Sequence, residues 1–66
     1  MQITINGEPR IIEDNTTISE LLGQLNIQPK HVAVALNRSC VVKKKFQETL
    51  IFEDDDIEIL APMAGG

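Results

Sequence analysis

The alternation of apolar and polar residues predicts a β-strand near each end of the chain. Isoleucines alternate with polar neighbours over residues 2–5 and again over residues 56–59. A period of two is typical of a strand that buries one of its faces. Asn6-Gly7, which lies between residues 2–5 and the apolar residues Ile11 and Ile12, is a strong signal for a two-residue hairpin turn. We therefore predict an opening β-hairpin and a closing strand.

A helix is predicted to follow the opening hairpin. Thr17 and Glu20 match the capping box, in which the Thr17 hydroxyl accepts the Glu20 N–H and the Glu20 carboxylate reaches back to the Thr17 backbone. Apolar residues then recur at helical spacing, at Ile18, Leu21, Leu22 and Leu25. Burial of each side chain is worth about 1.5–3 kcal/mol, against about 1 kcal/mol for the cap, so this helix is expected to cover a sheet. Asn26 and Pro29 are predicted to end it.

Shorter segments complete the pattern after the helix. Residues 32–36 alternate large and small apolar side chains, as in a strand with one packed face, and Asn37-Arg38-Ser39 is predicted to turn the chain. A short strand is expected to begin at Val41 and to end at Lys43–Lys45. After it, Phe46, Leu50 and Ile51 are expected to fill the core from an irregular connection. The four acidic residues 53–56 are predicted to form a charged turn before the last strand.

The predicted order is β-β-α-β-β-β, which indicates an α+β fold with a mixed sheet. One helix covers only one face of a sheet, so the other face is expected to be open. The first and last strands are expected to lie side by side, in parallel, at the centre. Pro62 has no N–H for a ladder, so residues 62–66 are predicted to form a flexible tail on a single domain of residues 1–66.

Composition excludes several classes of function. The net charge of −4 and the absence of Trp and Tyr argue against nucleic-acid binding. Cys40 and His31, the one cysteine and the one histidine, cannot supply the ligands of a zinc site. Cys40 is expected to behave as a small hydrophobic residue and His31 to lie at the surface. Lys43–Lys45 are expected to be a solvated cluster, with contact to an acidic patch of a partner as the alternative. With neither a secretory signal nor a membrane span in the sequence, the expected location is the cytoplasm.

Gly65 and Gly66 are the candidate site. Glycine has no Cβ, so this pair can enter a narrow active site that would exclude other residues. A terminal carboxylate is anionic at neutral pH and reacts with nucleophiles only after a leaving group such as AMP is attached. We therefore expect a substrate that a partner enzyme activates, with no catalytic residue or metal of its own. The alternative is an ordinary frayed terminus.

Short motifs along the whole chain resemble those of the ubiquitin-like β-grasp sulfur carriers, and most closely the ThiS-type carriers of thiamin biosynthesis. The motifs are Asn6-Gly7-Glu8, Leu21-Leu22, Val32-Ala33-Val34, Leu36-Asn37, Glu48-Thr49-Leu50, Ile57-Glu58-Ile59 and Gly65-Gly66. The chain departs from the family at Asp54-Asp55, where Gly-Asp is common, and at the lysine run, which replaces a Pro-Arg-like step. We expect the first departure to strain the turn.

The resemblance implies a mechanism and partners. A ThiF-like enzyme would use ATP to adenylate Gly66, a persulfide sulfur would displace AMP, and the resulting thiocarboxylate would give its sulfur to a ThiG-like thiazole synthase. Gly65 would allow access to the active sites. Partner docking is expected from Leu60, Ala61, Pro62, Met63 and Ala64, although Leu60 could instead cap the core. The carrier would be no enzyme itself, would bind no cofactor and would be monomeric when free.

Other functions remain open from the sequence. The small subunit of molybdopterin synthase is a β-grasp sulfur carrier that also ends in two glycines. A ubiquitin-like protein modifier would instead be joined through Gly66 to lysines. In a noncatalytic β-grasp adaptor the glycine tail would have no role.

Overall fold

The computed structural model describes residues 1–61, and its elements follow the predicted order. The strands are β1 (Gln2–Ile5), β2 (Glu8–Ile11), β3 (Ala33–Leu36), β4 (Ser39–Val41) and β5 (Asp56–Leu60), and the helix is α1 (Ile18–Gln24). Short 3-10 turns at Pro29–His31 and Lys43–Lys45 lie before β3 and after β4. No helix in this part of the chain is long and apolar enough to cross a membrane.

The five strands form one mixed sheet in the order β2-β1-β5-β3-β4. β1 and β5 run parallel, with Ile5 opposite Ile57. The other neighbouring strands are antiparallel. The prediction that the first and last strands lie side by side at the centre is confirmed, and β5 is paired on both of its edges.

Both antiparallel hairpins use two-residue turns. Asn6 and Gly7 have φ angles of 51° and 84°, and Asn37 and Arg38 have φ angles of 50° and 72°. Two successive left-handed residues define the type I′ turn, whose twist matches that of the strands. The predicted turn over residues 37–39 was therefore one residue too long. Ser39 already pairs with Leu36, so β4 begins at Ser39. It ends at Val41, the residue at which it was predicted to begin.

The predicted capping box starts the helix. The Glu20 N–H donates to Thr17 Oγ1 at 3.1 Å, and the Thr17 N–H donates to Glu20 Oε1 at 2.9 Å. The last helical residue is Gln24, and the chain reverses at Asn26, whose φ of 59° is left-handed. α1 thus begins and ends close to the predicted positions.

The core lies between α1 and one face of the sheet. It is aliphatic apart from one phenylalanine and consists of Ile3, Ile12, Ile18, Leu21, Leu22, Val32, Val34, Phe46, Ile51 and Ile57. Phe46 and Ile51 are buried as predicted, but Leu50 is 40% exposed. Leu50 and Ile51 are neighbours in extended chain and project to opposite sides. Because Ile51 takes the inward position, the prediction that Leu50 fills the core is wrong.

The turn before β5 contains a strained residue, as predicted for Asp54-Asp55. Asp54 has a φ of 69°, which is a left-handed conformation. The next residue, Asp55, stabilises the turn through its carboxylate, which accepts the Phe52 N–H at 2.8 Å and the Asn37 Nδ2 donor at 3.0 Å. The two aspartates therefore have opposite effects on stability.

We predict that Phe46→Leu lowers the free energy of unfolding by about 1–3 kcal/mol, because it leaves a cavity in the core. Phe52→Leu is the matched control: Phe52 is 63% exposed, and its replacement should change that free energy by less than about 0.5 kcal/mol. Urea unfolding measures both values. Equal losses in the two variants would contradict the observed burial.

We predict that Asp54→Gly raises the free energy of unfolding by about 0.5–1 kcal/mol, because glycine removes the left-handed strain at some cost in chain entropy. Asp55→Gly should lower it by about 1–3 kcal/mol through the two lost hydrogen bonds. Asp54→Asn controls for the removal of one negative charge. Thermal unfolding of the three variants tests the assignment, and an Asp54→Gly protein less stable than wild type would contradict it.

Candidate functional site

The candidate site residues fall at the end of the central strand. Leu60 is the last residue of β5, and Ala61 follows it. The predicted tail, with the docking residues Pro62, Met63 and Ala64 and the glycines Gly65 and Gly66, lies outside the described residues. The described part of the site is the surface around Leu60 and Ala61, the last residues before the predicted tail.

Backbone hydrogen bonds hold β5 from both sides. On the β1 side, the Thr4 N–H donates to the Asp55 oxygen at 3.0 Å and the Asn6 N–H donates to the Ile57 oxygen at 2.8 Å. On the β3 side, pairing continues to the end of the strand, where Ala33 lies opposite Leu60. The sheet thus supports the last strand up to the residue that precedes Ala61.

A shallow groove of about 330 Å³ lies beside the end of β5. Its lining consists of His31, Val32, Ala33, Lys43, Leu60 and Ala61. Leu60 is 66% exposed, so it does not cap the core, and this alternative for Leu60 is wrong. The small side chain of Ala33, directly opposite Leu60, leaves room on the open face of the sheet. The groove is apolar at Leu60, and the basic residues His31 and Lys43 form part of its lining.

Charge is divided between the two ends of β5. At the groove end, Lys43 Nζ donates to the Lys30 backbone oxygen at 3.0 Å, which fixes one cation beside the groove. At the opposite end lie the acidic residues 53–56. Within residues 1–61, no cluster of three or more His, Cys, Asp or Glu side chains is arranged to hold a metal ion.

His31 and Cys40 both lie at the surface, which was predicted for His31 alone. His31 is exposed, as predicted, and lines the groove. Cys40 is exposed on β4, opposite Ala35, so it lies two positions in register from Leu60 and is separated from it by β3. The sequence analysis did not connect His31, Ala33 or Lys43 with the site. The alternation over residues 32–36 contained the signal for Ala33, because it placed a small residue at each outward position.

The topology defines the class of protein. A five-stranded mixed sheet with parallel first and last strands at its centre, and one helix packed on one face, is the ubiquitin-like β-grasp fold. The ThiS protein of thiamine biosynthesis from Geobacter metallireducens has the same fold, with a TM-score of 0.87 and 32% identity over 100% of both chains.

Sequence comparisons identify the family. A model of the ThiS family matches residues 3–66. The sulfur carrier protein ThiS of Thermus thermophilus is 33% identical over 64 residues, which are 97% of this chain and 98% of that protein. The chain therefore belongs to the ThiS family, as its motifs predicted.

Longer relatives also contain this domain. The thiazole synthase of Magnetococcus marinus is 38% identical over 66 residues, which are 100% of this chain but 20% of that protein. The chain spans a fifth of the length of such thiazole synthases. In these relatives, a segment similar to the whole chain is part of the same polypeptide as the rest of the synthase.

Proposed function

We propose that this chain carries sulfur as a thiocarboxylate on Gly66 and delivers it for the thiazole ring of thiamin. The observation that carries the proposal is the position of β5, which is paired on both edges and ends at Leu60 beside an exposed groove. In this ThiS-family chain, the glycine pair follows a few residues later in the sequence. The folded domain provides the surface to which the partner enzymes bind. The reaction takes place at the tail, within the partners' active sites.

The proposed chemistry proceeds in three steps. In a ThiF-like enzyme, the Gly66 carboxylate attacks the α-phosphate of ATP, and pyrophosphate leaves. The terminal sulfur of a persulfide then attacks the carbonyl carbon of the acyl adenylate, and AMP leaves. A thiol finally reduces the remaining S–S bond and releases the thiocarboxylate. ATP is bound by the partner, and Gly65 contributes only the narrow backbone that lets Gly66 reach the phosphate.

A ThiG-like thiazole synthase is the proposed sulfur acceptor. Support comes from the thiazole synthases in which a segment similar to this entire chain makes up 20% of the protein. A carrier domain that is covalently joined to a synthase in one organism is suited to bind a separate synthase in another. The similarity to ThiS proteins favours this acceptor over molybdopterin synthase and over lysine side chains.

Docking is proposed at the groove beside β5. Leu60 supplies an exposed apolar side chain, and the sequence continues with the apolar residues Ala61, Pro62, Met63 and Ala64. Desolvation of one such anchor residue in a partner pocket typically supplies much of the energy of an interface. Both partners act on Gly66, and the surface where the tail begins is the part of the described domain nearest to it in the sequence.

We predict that intact protein incubated with the ThiF-like enzyme, ATP and a persulfide donor gains the mass of one oxygen replaced by sulfur. A chain lacking Gly66 should show no change. Isopeptide-linked products on lysines would instead support a protein modifier, and failure of the wild-type chain to gain this mass would overturn the proposal.

Growth of a deletion strain separates the two sulfur-carrier pathways. Supplied thiazole should restore growth of a strain that lacks this chain. Loss of molybdoenzyme activity with normal growth on thiamin-free medium would contradict the assignment to thiamin and support the molybdopterin alternative.

We predict that Leu60→Thr lowers kcat/KM for adenylation by about tenfold, because it removes the proposed apolar anchor. Ile11→Thr is the matched control. Ile11 is 72% exposed on the same open face, but it pairs with Gln2 at the end of the sheet opposite Leu60. Pyrophosphate release measures the rate, and equal effects of the two variants would contradict docking at the groove.

A further inference from the structure

The side chain of Asn6 binds the backbone of the last strand close to the tail. Ile59 donates its N–H to Asn6 Oδ1 at 2.8 Å, and Asn6 Nδ2 donates to the Ile59 carbonyl oxygen at 3.3 Å. The Asn6 amide thus forms hydrogen bonds with both the backbone N–H and the backbone C=O of Ile59. The two residues are 53 positions apart in the sequence.

This contact lies where the neighbouring strand has ended. β1 stops at Ile5, opposite Ile57, and the chain then turns away at Asn6-Gly7. Successive backbone groups of a strand face opposite neighbours. The carbonyl of Ile57 faces β1, so the N–H and C=O of Ile59 face the same side, beyond the end of β1. The Asn6 amide takes the place of the missing strand residue.

We propose that Asn6 is a positioning residue for the C-terminal segment. By holding Ile59 on the edge that β1 no longer covers, the amide fixes the direction in which the chain leaves the sheet, two residues before Ala61. This inference rests on the proposed function, because its benefit is faster delivery of Gly66 into the activating enzyme. Prior orientation of a reacting group lowers the entropic cost of reaching the reactive geometry.

Asparagine meets two requirements at this position. The turn needs a left-handed residue, since φ at position 6 is 51°, and Asn and Gly adopt this conformation readily. The N–H and C=O of Ile59 need one acceptor and one donor, and a side-chain amide supplies both. Glycine meets the first requirement alone, and a carboxylate supplies acceptors without a donor.

Asn37 provides a matched comparison at the other end of β5. It also occupies the first position of a type I′ turn, with a φ of 50°. Its Oδ1 accepts the Asp56 N–H at 2.9 Å, and its Nδ2 donates to Asp55 Oδ1 at 3.0 Å. Asn6 and Asn37 therefore hold opposite ends of the same strand, and only Asn6 holds the end near the tail.

The test compares Asn6→Gly with Asn37→Gly in the full chain, because both variants keep the turn and lose the amide. Hydrogen exchange followed by NMR should show about tenfold faster exchange of the Ile59 amide in Asn6→Gly, with the Asp56 amide unchanged. Asn37→Gly should show the reverse. An Ile59 amide that exchanges at the wild-type rate in Asn6→Gly would overturn the inference.

Adenylation kinetics distinguish positioning from stability. At a temperature where both variants are fully folded, Asn6→Gly should lower kcat/KM by about fivefold, while Asn37→Gly stays near wild type. Equal rates in the two variants would overturn the role of Asn6. A wild-type chain that is never adenylated would instead overturn the proposed function itself, so the two failures are distinguishable.

Discussion

The parallel pairing of β1 with β5 is the contact on which the rest of the structure depends. A parallel pair cannot be closed by a tight turn and requires a long crossover connection, which here contains α1. The crossover places the helix on one face, over Ile3 and Ile57 from the two central strands. It also brings the last strand to the middle of the sheet, where β3 supports its second edge.

Covering only one face has consequences for both stability and function. A helix of seven residues and one face of the sheet enclose a small, mainly aliphatic core, in which each buried side chain is a large share of the total stability. The other face remains available for contact. At its groove end, the apolar side chain of Leu60 lies beside basic groups, and acidic residues occupy the far end of β5. In the proposed complexes, this division of charge favours one orientation of a partner on the open face.

Left-handed turn residues hold this arrangement in register. All four asparagines of the chain, Asn6, Asn15, Asn26 and Asn37, have positive φ angles. The turn roles of Asn6, Asn26 and Asn37 were predictable, because short polar side chains tolerate this conformation. The contacts of the Asn6 and Asn37 amides with β5 were not predictable. They join residues brought together by the sheet, and no local pattern records which backbone group lies opposite a turn.

The sequence by itself determined the order of the elements, the helix cap and the family, because these follow from periodicity, turn chemistry and motifs read within short segments. The central position of β5 was predicted from the clean alternation of the first and last strands. Only the tertiary structure decided that Ile51 is buried and Leu50 exposed, that β4 begins at Ser39, and that Ala33 and Lys43 form a groove with Leu60. These features depend on strand register and on competition for space in one small core. Register joins distant parts of the chain, and it is set when the sheet closes around β5.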